Sequence, residues 1–328
     1  MAFTRRQHSA QITPRDNYQE VTDRIIAALE EGVVPWRRPW NPALAGQNAM
    51  PSNATTGHFY RGINVLMLAL SPFAWSTGDN RWCSYKQAAE RGWQVRKGER
   101  GTTVFFFKKL ERKDGEGTPE LAADGSQRFI PMLRASTVFH ASQMDGISEV
   151  ATSGVQAVDW HRPEAVETIL RNSGAVIHTG GARAGYSPSG DYIVLPPHEV
   201  FQSPDAWGAT ALHELAHWTG HGSRLDRDMT AKFGTPRYAE EELRAELASC
   251  FLGSTLGLPS DIPNHANYIA DWLGKLRDDK REIFRAAAAA QRIADYCLGF
   301  HPDYGAAADE AQEPEPERAA DDVKKLAA

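Results

Sequence analysis

Apolar residues recur along this chain with two spacings, and the change from one to the other marks out its elements. Tyr18, Val21, Ile25 and Leu29 fall three or four apart and predict a helix, with Gly32 placed to end it. The run GINVLMLAL (62–70) is apolar throughout and fits a buried helix or a buried strand. SYKQAAERG (84–92) reads as a short helix capped by Ser84 and stopped by Gly92. TTVFFFKKL (102–110) is aromatic and β-branched, which predicts a strand, and RFIPMLRASTVFH (128–140) is its expected partner. The polar KDGEGTPELAADGSQ between them reads as an exposed loop. Periodicity is lost over ISEVATSGVQAV (147–158), where the domain boundary is drawn. Beyond it 163–173, 204–219, 238–257, 264–276 and 278–297 read as helices and GDYIVLP (190–196) as a strand. The pattern predicts an α+β protein of two domains: a mixed α/β domain over 1–150, and a mainly helical domain with a small sheet over 151–302. Residues 303–328 have too little apolar surface to fold and are expected to form a disordered acidic tail.

Composition adds limits. A chain of 328 residues, 41% hydrophobic and 24% charged, has room for about two globular domains. The first residues lack the apolar core of a signal peptide, and no apolar stretch is long enough to span a bilayer. Cys83, Cys250 and Cys297 are widely spaced and odd in number, so neither a disulfide framework nor a CxxC cluster is expected. These features point to the cytoplasm, with no membrane partner. The net charge of −6 hides a segregation of sign. Residues 33–113 carry thirteen Lys/Arg against four acids, a net +9, whereas 303–328 carry eight acids against three bases.

The basic segment is also aromatic. VVPWRRPW sets Trp36, Arg37, Arg38 and Trp40 between prolines that keep the backbone extended. HFYRGIN supplies Tyr60 and Arg61, RWCSYKQ supplies Lys86, GWQVRKGERG supplies Arg96 and Lys97, and FFFKK (105–109) continues the pattern. Rings for bases beside cations for phosphates are what single-stranded DNA requires, and no long basic helix suited to a duplex groove is evident. The plainer alternative is that the tryptophans are core and the cations a solvated surface.

ATALHELAHWTGHGSRL (209–225) carries the second chemistry. Ser203 and Pro204 make a helix start and Gly220 a stop, so His213 and His217, four apart, project from one face. That spacing suits two nitrogen ligands of tetrahedral zinc, and Glu214 lies close enough to reach a water on the metal. Two partly buried, hydrogen-bonded histidines would be the plain alternative. A metzincin would need histidine where Ser223 stands, and His221 comes too early and beyond the cap glycine, so its direction is open. In YAEEELRAELASCFLG (238–253), Leu243, Leu247 and Phe251 form an apolar stripe. Glu242 and Glu246, four apart on its flank, repel each other by about 0.2–0.5 kcal/mol unless a cation sits beside them. A charged, solvated face, including Glu240, Glu241 and Arg244, would also account for this stretch.

The Glu242-Leu-Arg-Ala-Glu246 pattern resembles the ligand helix of glutamate-type zincins. That likeness implies Glu242 as third zinc ligand, Glu246 as the carboxylate orienting a ligand histidine, and Glu214 as the base that activates water against a peptide carbonyl. Tyr238 or His221 would stabilise the oxyanion. On a larger scale, PWRRPW, TGHFYRGIN and WCSYKQAAERGWQVRKGERGTTVFF are similar to the N-terminal domain of ArdC-type antirestriction proteins. DYIVLPPHEVF, HELAHWTGH, YAEEELRAELAS and YIADWL are similar to that family's zincin-like C-terminal domain, so the resemblance covers about residues 15–300. It implies a single-stranded-DNA-binding domain joined to a zinc peptidase-like domain, protecting incoming mobile-element DNA from host restriction. Its partners would be single-stranded DNA and, if the peptidase acts, a protein substrate. The same N-terminal domain occurs in plasmid primase-related proteins, so a DNA-transfer accessory role is an alternative. A coat protein with purely structural zinc is another.

Overall fold

The computed structural model describes residues 16–36, 49–74, 78–115, 117–121, 125–149, 162–232, 234–258 and 268–305. Arg37, Arg38, Trp40 and the acidic segment beyond residue 305 lie outside them.

The N-terminal domain begins with α1 (Asn17–Glu30), whose first turn is capped by the Asp16 carboxylate accepting from Tyr18 N at 3.1 Å and Gln19 N at 3.2 Å. Gly32 follows at φ +77°, as the sequence predicts. Then come β1 (Ser52–Asn53), α2 (Ile63–Ala69), β2 (Arg81–Cys83), α3 (Tyr85–Glu90), β3 (Gln94–Val95), β4 (Thr102–Glu111), β5 (Phe129–His140) and β6 (Met144–Asp145). The apolar run at 62–70 resolves as helix α2, held between β4 and α8 (Glu282–Leu298) and buried on nearly every side. The expected hairpin is a long antiparallel ribbon, in register from Thr102↔Val138 to Glu111↔Phe129. It joins a sheet of order β1-β2-β5-β4, while β3 and β6 pair separately.

The second domain runs α4 (Arg162–Ser173), β7 (Val176–Thr179), β8 (Gly185–Ser187), β9 (Tyr192–Leu195), α5 (Pro204–Trp218), α6 (Pro236–Leu256), α7 (Ile269–Asp278) and α8. Its sheet has order β7-β9-β8, with β7 parallel and β8 antiparallel to β9. Only β9 is legible from sequence, because β7 and β8 are short, β7 being largely exposed and β8 half-buried. None of the described helices is long and apolar enough to cross a membrane. The three cysteines are buried, and burial pushes the Cys83 thiol up to about 11 and the Cys297 thiol up to about 12, so neither is a thiolate near neutral pH.

The two domains share one apolar core. Val21 and Ile25 of α1, Leu66 of α2 and Phe105 of β4 belong to the same buried cluster as Trp272, Phe284 and Ile293 of the C-terminal helices. Tyr18 meets Phe284 edge-on at 4.8 Å, and Trp36 meets Trp272 edge-on at 5.6 Å. This placement corrects part of the DNA reading. Trp36 is 1% exposed and Tyr60 6% exposed, so neither offers a ring face to a base. Arg61 forms an ion pair with Asp295 of α8, and Gly62 N donates to Gln291 Oε1 at 3.0 Å on the same helix. These groups join the domains; the proline-flanked tryptophan turns inward because α7 offers it an aromatic partner.

Trp36→Ala is therefore expected to cost about 3–5 kcal/mol of stability, as truncation of a buried tryptophan does. Urea unfolding of the full chain should show this loss in one cooperative transition followed alike by fluorescence and far-UV circular dichroism. Wild-type stability in the variant would mean that Trp36 is a surface residue after all.

Candidate metal centre

Helix α5 starts at Ser203, whose hydroxyl accepts from Ala206 N at 3.1 Å, with Pro204 in the first turn. It is buried along nearly its whole length, from Trp207 to Trp218, which is why its histidines and Glu214 are inside the protein. Helix α6 starts at Thr235, whose hydroxyl accepts from Tyr238 N at 3.3 Å, and stops at Gly257 in the left-handed region at φ +73°. The two helices pack together, and the stripe of Leu243, Leu247 and Phe251 is buried as predicted. Their packing places Glu242 opposite the histidine pair.

The distances are those of a shared ligand site. His213 Nε2 and His217 Nε2 stand 3.2 Å apart, with Glu242 Oε1 3.4 Å from His217 Nε2 and Glu242 Oε2 3.7 Å from His213 Nε2. Donors about 2.0–2.1 Å from a tetrahedral ion lie ~3.3 Å from one another, so the two imidazole nitrogens and the Glu242 carboxylate surround a space of about the right size. All three residues are buried, and they form the described cluster able to hold a metal.

Electrostatics point the same way. Burial alone would pull the His213 imidazole down, but the carboxylates of Glu242, Glu214 and Glu241 outweigh it and hold its pKa above the ordinary value. Burial pushes Glu242 up, yet the hydrogen bond to His213, the two imidazoles' charge and Tyr238 bring it down to about 2. Tyr238, one turn before Glu242, is pushed well up by burial and by the Glu242 charge.

The carboxylate hydrogen-bonded to His217 is that of Glu241, whereas the zincin likeness expects Glu246 in the orienting role. Glu241 Oε1 is 3.3 Å from His217 Nδ1. That hydrogen bond leaves Nε2 of His217 as the lone-pair nitrogen facing the site. Glu241 is itself held by Arg227, through Nη2 at 2.7 Å and Nε at 3.1 Å. Arg227 also donates to Thr219 Oγ1 and Ala216 O, both at 2.7 Å, which pins the loop after α5 against the helix end. Gly220 permits that return, since a Cβ there would lie 2.4 Å from Met229 Sδ. Burial pushes Glu241 up, but His217 and Arg227 hold its carboxyl below the usual range. Glu246 is also buried. His221 is turned away from the cluster, with Nδ1 2.9 Å from Ser223 Oγ.

The triad opens onto a cleft of about 980 Å³, lined among others by Glu214, Tyr238, Tyr268 and strand β8. Arg224 fixes that strand relative to α5: it stacks on Trp218 at 3.8 Å, bonds Asp191 at 3.1 Å, and reaches the Tyr186 hydroxyl.

A family model of the zincin-like metallopeptidases matches residues 164–289, and one of the N-terminal domain of anti-restriction factor ArdC matches residues 15–139. The metal-free crystal structure of the antirestriction ArdC protein from plasmid R388 is 42% identical with a TM-score of 0.72, over 88% of this chain and 99% of that one. The chain belongs to the ArdC antirestriction family. The Mn(II)-bound form of the same ArdC protein matches over 91% of this chain and all of that one, with 41% identity and a TM-score of 0.69. Together with the zincin-like domain and the donor set here, it supports a divalent metal as the cofactor. Two Escherichia coli proteins named DNA primase TraC are each 44% identical over 88% and 86% of this chain. The chain spans only 20% and 27% of their lengths. The uncharacterized protein y4eC of Sinorhizobium fredii is 37% identical over 87% of this chain and 92% of its own length.

The remaining DNA candidates, Lys86, Arg96 and Lys97, are exposed. Lys86 lies 3.7 Å from Glu90, and Arg96 is engaged by Glu99 at 3.1 Å and Asp145 at 3.4 Å.

One divalent ion per chain is expected, lost in His213→Ala, His217→Ala and Glu242→Ala and bound about 10–100-fold more weakly in Glu241→Gln. Because the metal takes neutral imidazole, affinity should be full above the raised His213 pKa and decline as pH falls through it. Titration calorimetry over a pH series reads both effects; wild-type affinity in Glu241→Gln, or affinity rising toward acid, would contradict this geometry.

Proposed function

We propose that this antirestriction protein binds single-stranded DNA through its N-terminal domain and carries a zinc-dependent peptidase centre in its C-terminal domain. The observation that carries the second part is the open side of the triad. Purely structural zinc sites are closed by four protein ligands, whereas here three donors converge and the fourth side gives onto a cleft large enough for a peptide segment. The match to the zincin-like metallopeptidases and a donor set of two imidazoles and one carboxylate support zinc.

Bound there, zinc would polarise a substrate carbonyl and make a neighbouring water more acidic. The chain's own side chains supply the rest. Glu214 is buried beside His213 and lines the cleft, where its carboxylate takes the proton of the attacking water and passes it to the leaving amine. Tyr238 stays protonated, because burial and Glu242 oppose its ionisation, so its hydroxyl can donate to a developing oxyanion. Strand β8 is an edge of its sheet along the cleft and offers backbone groups to an extended peptide.

The DNA part is supported by the +9 balance over residues 33–113 and by relatives whose names refer to antirestriction and DNA priming. Incoming single-stranded DNA places the protein's work in the cytoplasm. The folded, basic front also argues against an acidic DNA mimic. A coat protein with a merely structural ion would keep His213, His217 and Glu242 but would have no use for Glu214 at the cleft.

Glu214→Gln separates these readings. It should retain one zinc and bind single-stranded DNA as the wild type does, while hydrolysis of an unfolded protein such as casein, with oligonucleotide present, falls at least a hundred-fold. Equal hydrolysis by wild type and variant would remove the peptidase assignment.

A further inference from the structure

We infer that Tyr268 is a catalytic residue of the cleft, its hydroxyl donating a hydrogen bond to the substrate carbonyl oxygen as that oxygen gains negative charge. The inference rests on the peptidase reading above and adds a second donor to Tyr238, in the place that the sequence offers to His221.

The lining of the cleft narrows the choice of donor. His221 is turned toward Ser223. Tyr238 and Tyr268 both line the cleft onto which the triad opens. Their rings lie 6.0 Å apart at 38°, and their hydroxyls are hydrogen-bonded to each other. The Tyr238 hydroxyl is also bonded to the Glu242 carboxylate, so its single proton faces two acceptors. Tyr238 therefore shares its proton with a carboxylate of the triad. The Tyr268 oxygen accepts from Tyr238, and that bond polarises its own O–H for donation. Two O–H···O bonds in series place this oxygen within about 6 Å of the Glu242 carboxylate, close enough to reach a carbonyl held at the triad.

A donor for a charge that exists only briefly has to be held in place beforehand. Tyr268 stands at the start of α7, and Trp272, one turn on, stacks against its ring at 6.1 Å and 26°. Trp272 is itself immobilised: it is 1% exposed, its Nε1 donates to Ala239 O at 2.9 Å, and Trp36 of the N-terminal domain meets it edge-on. Ala239 follows Tyr238 on α6, so one indole fixes the two tyrosines relative to each other. Burial and the Glu242 charge push the Tyr268 hydroxyl up, so it carries its proton at neutral pH. It keeps that proton throughout. As the π pair of the carbonyl moves onto oxygen, the bond from Tyr268 strengthens, because the neutral carbonyl of the bound substrate is the weaker acceptor. The contribution thus falls on kcat rather than on KM.

The test uses the full-length, zinc-loaded protein with casein as substrate, oligonucleotide present, and a phosphinic peptide whose tetrahedral group imitates the developing oxyanion. Tyr268→Phe keeps the ring on Trp272 and removes one hydroxyl. It should retain one zinc and the wild-type unfolding temperature, with kcat lowered about a hundred- to a thousand-fold and KM little changed. Titration calorimetry should show affinity for the phosphinic peptide reduced by a similar factor. If the wild type neither cleaves casein nor binds the phosphinic peptide, the peptidase reading and this inference fall together. If it does both and Tyr268→Phe matches it, the inference alone is overturned. A loss of activity that comes with lost zinc, or that lies in KM with kcat unchanged, would overturn it too, making Tyr268 a structural or substrate-holding residue.

Discussion

Two imidazoles and three carboxylates are buried where α5 meets α6, and the packing on either side of them is apolar. Such a cluster has to be resolved, because an uncompensated buried carboxylate is expensive. Arg227 resolves one charge by its two-pronged grip on Glu241, and Glu241 in turn fixes which nitrogen of His217 faces inward. Glu214 and Glu242 remain, beside two imidazoles, and in the absence of a metal the imidazole of His213 takes up a proton more readily than usual. A divalent cation meets the same demand with directional bonds. The site is thus a place where the fold stores a need for positive charge.

The rest of the architecture follows from keeping that cluster in place. Helix α5 is packed against α4, α6, α8 and the β8–β9 strands, with only its cleft side open, and α8 extends the same packing to α2 of the other domain. Arg61 and Gly62, which sequence alone suggests as part of a nucleic-acid surface, are bonded to α8. The domains are therefore mechanically joined.

Residues 204–219 are readable in sequence from the Ser203 cap, Pro204 and the Gly220 stop, and 238–257 from the apolar stripe of Leu243, Leu247 and Phe251. The Thr235 cap and the Gly257 stop of that second helix appear only in the structure. The ligands His213 and His217 follow from helix geometry alone, and Glu242 from its likeness to a known ligand helix. Glu241 escapes a reading of the sequence because adjacent glutamates look alike there; only the rotation of α6 against α5 tells which one meets His217. Arg227 is invisible for a similar reason, since it reaches the site through a loop reversal allowed by Gly220 rather than through any periodicity. Trp36 shows the converse error. A tryptophan between prolines and arginines looks displayed, and its burial depends on Trp272, more than two hundred residues away in sequence. Strands β7 and β8 are too short to show an alternation.

The central claim is that the buried charge between α5 and α6 is answered by one metal held on Nε2 of His213, Nε2 of His217 and a carboxylate oxygen of Glu242. Anomalous diffraction from zinc-loaded crystals tests it most directly. The account requires a single peak about 2.0–2.2 Å from those three atoms, with Glu241 still on His217 Nδ1 and the remaining side open to the cleft. A peak coordinated by His221, or by Glu246 in place of Glu242, would contradict it.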